Sequence, residues 1–328
     1  MSLRSPLALV VINGAPIAPE SVSVTQSRDK NSDTFHADVP MAMVGNLGAD
    51  NITAQVYMGN DGDASTLMFD GYVDASTYAF ERGVVSLSGR DKVKKMIDKK
   101  TRKDWKNKQP HEVVQELGGA AGLSVQASSV GEKLGKIYQI DFKSFMHDVS
   151  DWSMVQKIAD HFGMECFASV GKLFFQEMGQ SQGAFTVQYV PPTPYSYADG
   201  TFITLSGSNN HVVKGGATVK VSSWNHKQKQ ANSASAGSGT TLYNYSVPGI
   251  SQSQAQRIAN KKHKEHTSHG KTISTSMPGD TSVNATIDLV VSGTGTDFDD
   301  TYQIQTVEHS MSAGEGYRMN ISAKIKGG

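Results

Sequence analysis

Three histidines, His263, His266 and His269, fall at i, i+3 and i+6 along a stretch that reads as helix. Imidazoles one turn apart can share a metal ion, and a catalytic site would add a carboxylate from elsewhere. Lys261, Lys262, Lys264 and Lys271 surround them and would repel a divalent cation, so the spacing reads as a solvated helix face. Asp61 and Asp63, and Asp297, Asp299 and Asp300, form two acidic groups beside glycines. A calcium loop needs a ladder of ligands closed by a bidentate Glu, which neither group has; both read as turn chemistry. Cys166 lies in the apolar run Met164–Phe167 and reads as a small buried hydrophobe rather than a nucleophile. No G-x-S-x-G elbow, P-loop or dinucleotide fingerprint occurs. A glycosidase would need two carboxylates held about 5 or about 6.5–9.5 Å apart, and nothing in the sequence points to such a pair. The expectation is a protein without catalytic, cofactor-binding or metal-ligating residues: no enzyme, and no cofactor.

One charge feature stands out. Arg90 to Lys108 holds ten Lys/Arg (90, 92, 94, 95, 99, 100, 102, 103, 106 and 108) against three Asp (91, 98 and 104). Its local net is +7, and the remaining 21 basic and 28 acidic residues leave the rest of the chain at −7. Crowded like charge must stay solvated or meet an opposing partner. The segment is therefore read either as a solvated face or as a dock for an acidic protein surface, with Trp105 as an apolar anchor. DNA is disfavoured, because aromatic interleaving is limited to that one tryptophan and the whole chain is neutral.

The elements that must position these residues follow from hydrophobic period. Over 1–91 the apolar residues alternate in short runs: Leu7–Ile12, Val22 and Val24, Phe35 to Val39, Ile52 to Met58, Leu67 and Phe69, Tyr78 and Phe80, Val85 and Leu87. Alternation marks strands with one buried face, and Asn13-Gly14 marks a hairpin. From 92 to 184 the period changes. Val93, Met96 and Ile97 suit a short helix, Pro110 opens a second, and Trp152 to Phe162 forms a third that stops at Gly163. Met164 to Gln176 reads as a hairpin turning at Val170-Gly171. From 185 to 328 the texture is β again. Ala217–Trp224 is a strand, Ala231–Gly239 a small polar loop, 251–269 a helix opened by a capping box, and Tyr317–Ile325 a closing strand. The fold class expected is mainly β with an α insert (α+β): two antiparallel β-barrel-like domains, 1–91 and 185–328, flanking a helical and hairpin insert over 92–184. No short-period sequence repeat is visible.

With one cysteine there is no intrachain disulfide, which argues against an oxidised secreted scaffold. Pro6–Ile12 is too short for a signal peptide core, and no run approaches the ~20 apolar residues of a membrane helix. The expectation is a soluble intracellular protein.

Several stretches, in order, resemble the baseplate hub proteins of contractile-tailed phages, of the Mu-like and late-control-protein-D type. They are Val22–Ser27; Gly89-Arg90-Asp91-Lys92; Trp105-Lys106-Asn107-Lys108; Ala121–Val125; Asp151–Ala159 with Gly163-Met164 and Gly171–Phe175; the Ala255 helix; Pro278-Gly279-Asp280; and Tyr302–His309. Phe185 to Gly239 has no counterpart. The resemblance implies a homotrimer in which two similar β-barrels per chain make a six-barrel ring. That ring would match the six-fold tail tube on one side and accept a three-fold central spike on the other. It would contact the tape measure and baseplate wedge proteins, with DNA only in transit through its lumen. The implied location is the virion tail, assembled in the host cytoplasm. A type VI secretion spike or a non-contractile tail tip would share much of the fold, and a nucleic-acid-binding module is the remaining rival.

Overall fold

The computed structural model describes residues 7–29, 31–45, 47, 51–60, 64–101, 105, 107–134, 149–211, 216–225 and 230–326. The first seven strands are β1 (Leu7–Ile12), β2 (Ala15–Ile17), β3 (Ser21–Ser27), β4 (Thr34–Pro40), β5 (Thr53–Gly59), β6 (Thr66–Ala79) and β7 (Val84–Asp91). Their hydrogen-bonded order is β2-β1-β5-β6-β7-β4-β3, antiparallel throughout. Asn13 and Gly14 take φ of 49° and 85°, the positive pair that a tight β1–β2 turn requires. Alternate residues Val10, Ile12, Val22, Val24, Val39, Val56 and Leu87 come from strands far apart in this order, yet they share one buried cluster. The sheet is therefore curled upon itself.

An insert follows: α1 (Val93–Asp98), α2 (Pro110–Ala120), β8 (Ser124–Ala127), α3 (Asp151–Phe162), β9 (Met164–Ser169) and β10 (Lys172–Glu177). Pro110 occupies the first turn of α2, whose capping box is made by Gln109 and Glu112. Ser150 caps α3, and Gly163 ends it at φ 71°. The three short strands pair in the order β8-β10-β9. Against them the helices bury Trp105, Val113, Trp152, Val155 and Phe162 together with Leu173 and Phe175. Each such side chain is worth about 1.5–3 kcal/mol of transfer free energy.

The remaining strands are β11 (Ala184–Val190), β12 (Asp199–Gly200), β13 (Thr204–Asn209), β14 (Ala217–Asn225), β15 (Gln230–Ala236), β16 (Thr241–Ser246), β17 (Lys271–Pro278), β18 (Asp288–Ser292), β19 (Thr301–Ser312) and β20 (Gly316–Ile325), with α4 (Gln252–Thr267) before β17. Strands β14, β15 and β16 form a separate sheet covering α4 through Val219, Val221, Ala255, Ile258 and Ala259. The other seven pair as β12-β11-β18-β19-β20-β17-β13.

That order repeats the first one. Numbered one to seven within each half, both sheets run 2-1-5-6-7-4-3. The sixth strand is the longest in each half, and both carry a bulge, between Val73 and Ala75 in β6 and between Ile304 and Thr306 in β19. One pairing differs: β1·β5 is antiparallel and β11·β18 parallel.

Three expectations need correction. The two β regions are not separate barrels: β3 pairs antiparallel with β19, fusing them into one 14-stranded sheet, and among the described residues neither half closes. The physical reason is that β3 ends its own half and would expose a row of unpaired backbone groups without β19. Ala231–Gly239 is mostly strand β15, whose Ala234 and Ala236 pack inward; small residues fit there because α4 lies close. The capping box of α4 is half made. Ser251 accepts from Gln254 N–H, but the Gln254 side chain donates to His161 O instead.

Candidate assembly interface

Several of the residues whose types suggested chemistry make structural contacts. His266 stacks on Tyr243, ring centroids 3.9 Å apart, and its Nε2 lies 2.8 Å from the Tyr245 hydroxyl. Burial pulls its pKa down. Among the described residues no three His, Cys, Asp or Glu side chains gather as metal ligands. Asp299 accepts from Thr294 N–H, the Thr294 hydroxyl and Gly295 N–H at 2.7–3.0 Å, closing its own loop, while Asp297 and Asp300 flank Lys271. Asp61 and Asp63 lie outside the described residues. Cys166 is buried, and burial pushes its thiol pKa far up, so it is no thiolate.

What the fold does bring together is a polar junction between both halves and the insert. Arg28 ends β3. Its Nη2 donates to Glu165 Oε1 of β9 at 2.6 Å and also to Gln180 O; Nη1 reaches Ala285 O at 3.5 Å. The guanidinium lies 4.7 Å above the Phe167 ring. On α4, Lys261 donates to Asp160 Oδ1 at 2.7 Å and Met164 O at 2.6 Å, and Arg257 binds Glu132 at 2.7 Å. Beside Arg28, Asp33 accepts from Ser27 N–H at 2.9 Å and Val170 N–H at 3.3 Å. Asp91 donates its N–H to Asp33 O and accepts from Val93 N–H through Oδ1, leaving Oδ2 buried without a partner. Burial first, and then the neighbouring Asp91, hold the Asp33 pKa well above the carboxylate range. Burial first, with a smaller push from the Asp70 charge, lifts Asp91 to about 7.

His309 on β19 is buried where the halves meet. Its Nε2 must donate to Val283 O at 3.0 Å, so Nδ1 accepts from the Tyr317 hydroxyl at 2.9 Å. Burial lowers its pKa to about 4 and keeps it neutral.

Four of the basic segment's cations are paired within the chain. Arg90 and Lys94 bind Asp74, Lys92 binds Asp70, and Lys108 binds Glu116. Trp105 is 1% exposed and donates Nε1–H to Glu116, so it is core and not an exposed anchor. The reason is the apolar cluster of the insert, which a tryptophan fills better than solvent can. Lys94, Lys95 and Lys99 do rim a cleft of about 440 Å³ floored by Met96, Leu117 and Ala121. Arg102, Lys103, Asp104 and Lys106 lie outside the described residues.

Sequence reasoning missed Arg28, Asp33, Asp91 and Lys261 as junction residues. Their partners are distant in the chain, and a polar residue bound for burial carries no periodic signal. It also missed the exposed apolar pair Tyr78 and Phe80, 41% and 78% accessible, at the β6–β7 hairpin end.

No family model and no curated protein sequence matches this chain. Solved structures do. A tail protein from Neisseria meningitidis MC58 is similar at a TM-score of 0.70 and 12% identity, over 98% of this chain and 97% of that one. The 43 kDa tail protein of prophage MuSo2 from Shewanella oneidensis gives 0.66 and 12%, over 98% and 99%. An E. coli component of the type VI secretion system gives 0.60 and 7%, over 96% of this chain and 76% of that one. This chain shares, from end to end, the fold of phage tail proteins.

Proposed function

We propose that this protein is the structural hub of a phage-type tail baseplate, a homotrimer that joins a six-fold tail tube to a three-fold central spike and lines the ejection channel. The observation that carries this reading is the repeated strand order, 2-1-5-6-7-4-3, within a chain whose fold matches tail proteins over nearly its full length. Two similar sheets per chain make six similar units in three copies, the arithmetic a six-to-three adaptor needs. On this reading 1–91 and 185–328 are the ring-forming domains and 92–184 the insert between them. The partners are the tube, the spike, the tape measure and the wedge proteins; DNA passes without being gripped. The protein acts in the virion tail after assembly in the host cytoplasm, performs no catalysis and takes no cofactor. No described helix is long and apolar enough to cross a membrane.

A second reading, the equivalent hub of a type VI secretion or non-contractile tail-tip device, is favoured by the likeness to the E. coli secretion component. Light scattering on the purified chain tests both, with a trimer expected, and negative-stain averages should show a six-lobed ring. A stable monomer, or a ring without six lobes, refutes the hub. Incorporation into particles whose sheath contracts separates the first reading from the second.

A further inference from the structure

The ladder that fuses the two halves has a missing twin. Strand β3 ends the first sheet and lies on β19, the sixth strand of the second, from Ser27↔Thr306 to Ser21↔Ser312. Its inward residues Val22, Val24, His309 and Met311 are all buried. The equivalent end strand of the second sheet is β13, and the equivalent sixth strand of the first is β6. Among the described residues β13 pairs with β17 alone, and β6 beyond its bulge pairs with β7 alone.

The equivalence holds residue by residue. Val73↔Gly89 and Ala75↔Ser88 straddle the β6 bulge as Ile304↔Ala323 and Thr306↔Ser322 straddle that of β19. Counting from the bulges, Tyr78 and Phe80 occupy the positions of His309 and Met311. Counting through the fourth strands, Leu205 and Gly207 occupy those of Val22 and Val24. The first sheet therefore presents two apolar rings, stacked 5.9 Å apart, at positions that the second sheet buries under β3.

We infer that β13 of one copy adds antiparallel to the β6 edge of the next copy, in a register running from Ala75↔Asn210 to Phe80↔Leu205. The occupant is a second copy of this chain, because the ladder continues one the chain already makes with itself. Tyr78 then lies opposite Gly207, whose Cβ side is covered by the Phe298 ring, so the tyrosine meets an aromatic side chain there, and Phe80 meets Leu205. Each copy offers one β13 and one β6, so the contact is heterologous and must close into a ring or run on as a filament. Left open, two such edges would invite aggregation. This inference rests on the oligomeric hub reading and specifies its contact.

The lone cysteine, Cys166, is buried, so cysteine pairs can be introduced with little background. Directly opposed residues of a ladder approach closely enough for a disulfide, whereas diagonal neighbours stand about 7 Å apart. Thr77→Cys with Ser208→Cys, and Ser76→Cys with Asn209→Cys, cover both kinds of opposed pair; Thr77→Cys with Ser206→Cys is out of register. Under mild oxidation, at least one in-register variant should give reducible dimers and trimers on denaturing gels, about tenfold more than the out-of-register variant. Thermal melts and light scattering of the same variants under reduction establish that they fold and associate as the unmodified chain does. A trimer that forms without in-register crosslinks, or crosslinks equally in both registers, overturns this contact and leaves the hub reading standing. An unmodified chain that is monomeric at every concentration overturns both.

Discussion

Replacing Arg28 by Met should loosen the junction more than any surface change. The guanidinium is 2% exposed and its partner Glu165 14% exposed, so neither charge is well hydrated. Met keeps most of the packing over Phe167 but leaves the Glu165 carboxylate, among the described residues, with the Gln176 Nε2 donor at 3.0 Å. Removing one member of a buried pair costs about 3–5 kcal/mol, because the other charge is stranded. Gln180 O and Ala285 O also lose a donor, and each such loss costs about 1 kcal/mol. Arg28→Met should therefore destabilise by about 5–7 kcal/mol, beyond the usual range of single substitutions. Adding Glu165→Met removes the stranded charge, so the double variant should recover about 2 kcal/mol of that loss. Urea unfolding followed by fluorescence of Trp105 and Trp152, both buried in the insert cluster, reads the effect where the junction acts. A loss below about 1 kcal/mol for Arg28→Met, or strict additivity in the double variant, would refute the claim that this ion pair ties the halves to the insert.

Three further outcomes follow from buried groups and one close approach. Asp91, lifted to about 7 by burial, stabilises while it holds its proton; its contribution is complete below the unfolded carboxyl pKa and is lost as pH rises through about 7, so the advantage of Asp91→Asn in urea midpoint should grow between pH 5 and pH 8. His309, lowered to about 4, contributes stability above its unfolded pKa near 6.5 that is lost as pH falls towards 4; His309→Gln should flatten that acid limb, and an unchanged limb would contradict its assigned burial. A Cβ on Gly89 would sit 1.9 Å from Tyr72 O and 2.7 Å from the Phe35 ring, so Gly89→Ala should cost about 1–3 kcal/mol in a thermal melt, and a neutral result would mean the β6 bulge yields freely.

Local signals were legible in the sequence because each is a short-range steric or hydrogen-bonding requirement. Asn13-Gly14 specifies a turn, Pro110 a first helical turn and Gly163 a stop, and the structure places all three as expected. The alternation from Tyr317 to Ala323 marked the buried face of β20. Less visible was whatever depends on distant partners. Trp105 sits in a run of lysines, and only the tertiary cluster of the insert explains its burial. Strand β15 is mostly small and polar, a loop composition, and becomes a strand because β14 offers a ladder. The lysine-rich stretch read as excess charge because Asp70 and Asp74, which neutralise three of its cations, lie on another strand. The repeated strand order goes with no visible short-period sequence repeat, since a strand order constrains hydrogen-bonded neighbours and inward polarity, not residue identity.

The two sheets agree where one ladder must resemble another and differ elsewhere. Third and sixth strands, with their bulges, are equivalent in both halves. The second half alone carries β14, β15, β16 and α4 between its third and fourth strands; the first half spans the same step with the short stretch from Arg28 to Asp33. The parallel β11·β18 pairing is likewise confined to the second half. In a ring of three copies, six like ladders would present a nearly six-fold sheet, while every unlike insertion would appear three times. Symmetry would then be carried by backbone hydrogen bonds on one surface and broken by inserted side chains on another. On the hub reading, such a division would let one chain satisfy two symmetries without changing conformation, because backbone ladders tolerate sequence divergence and inserted surfaces do not need to repeat.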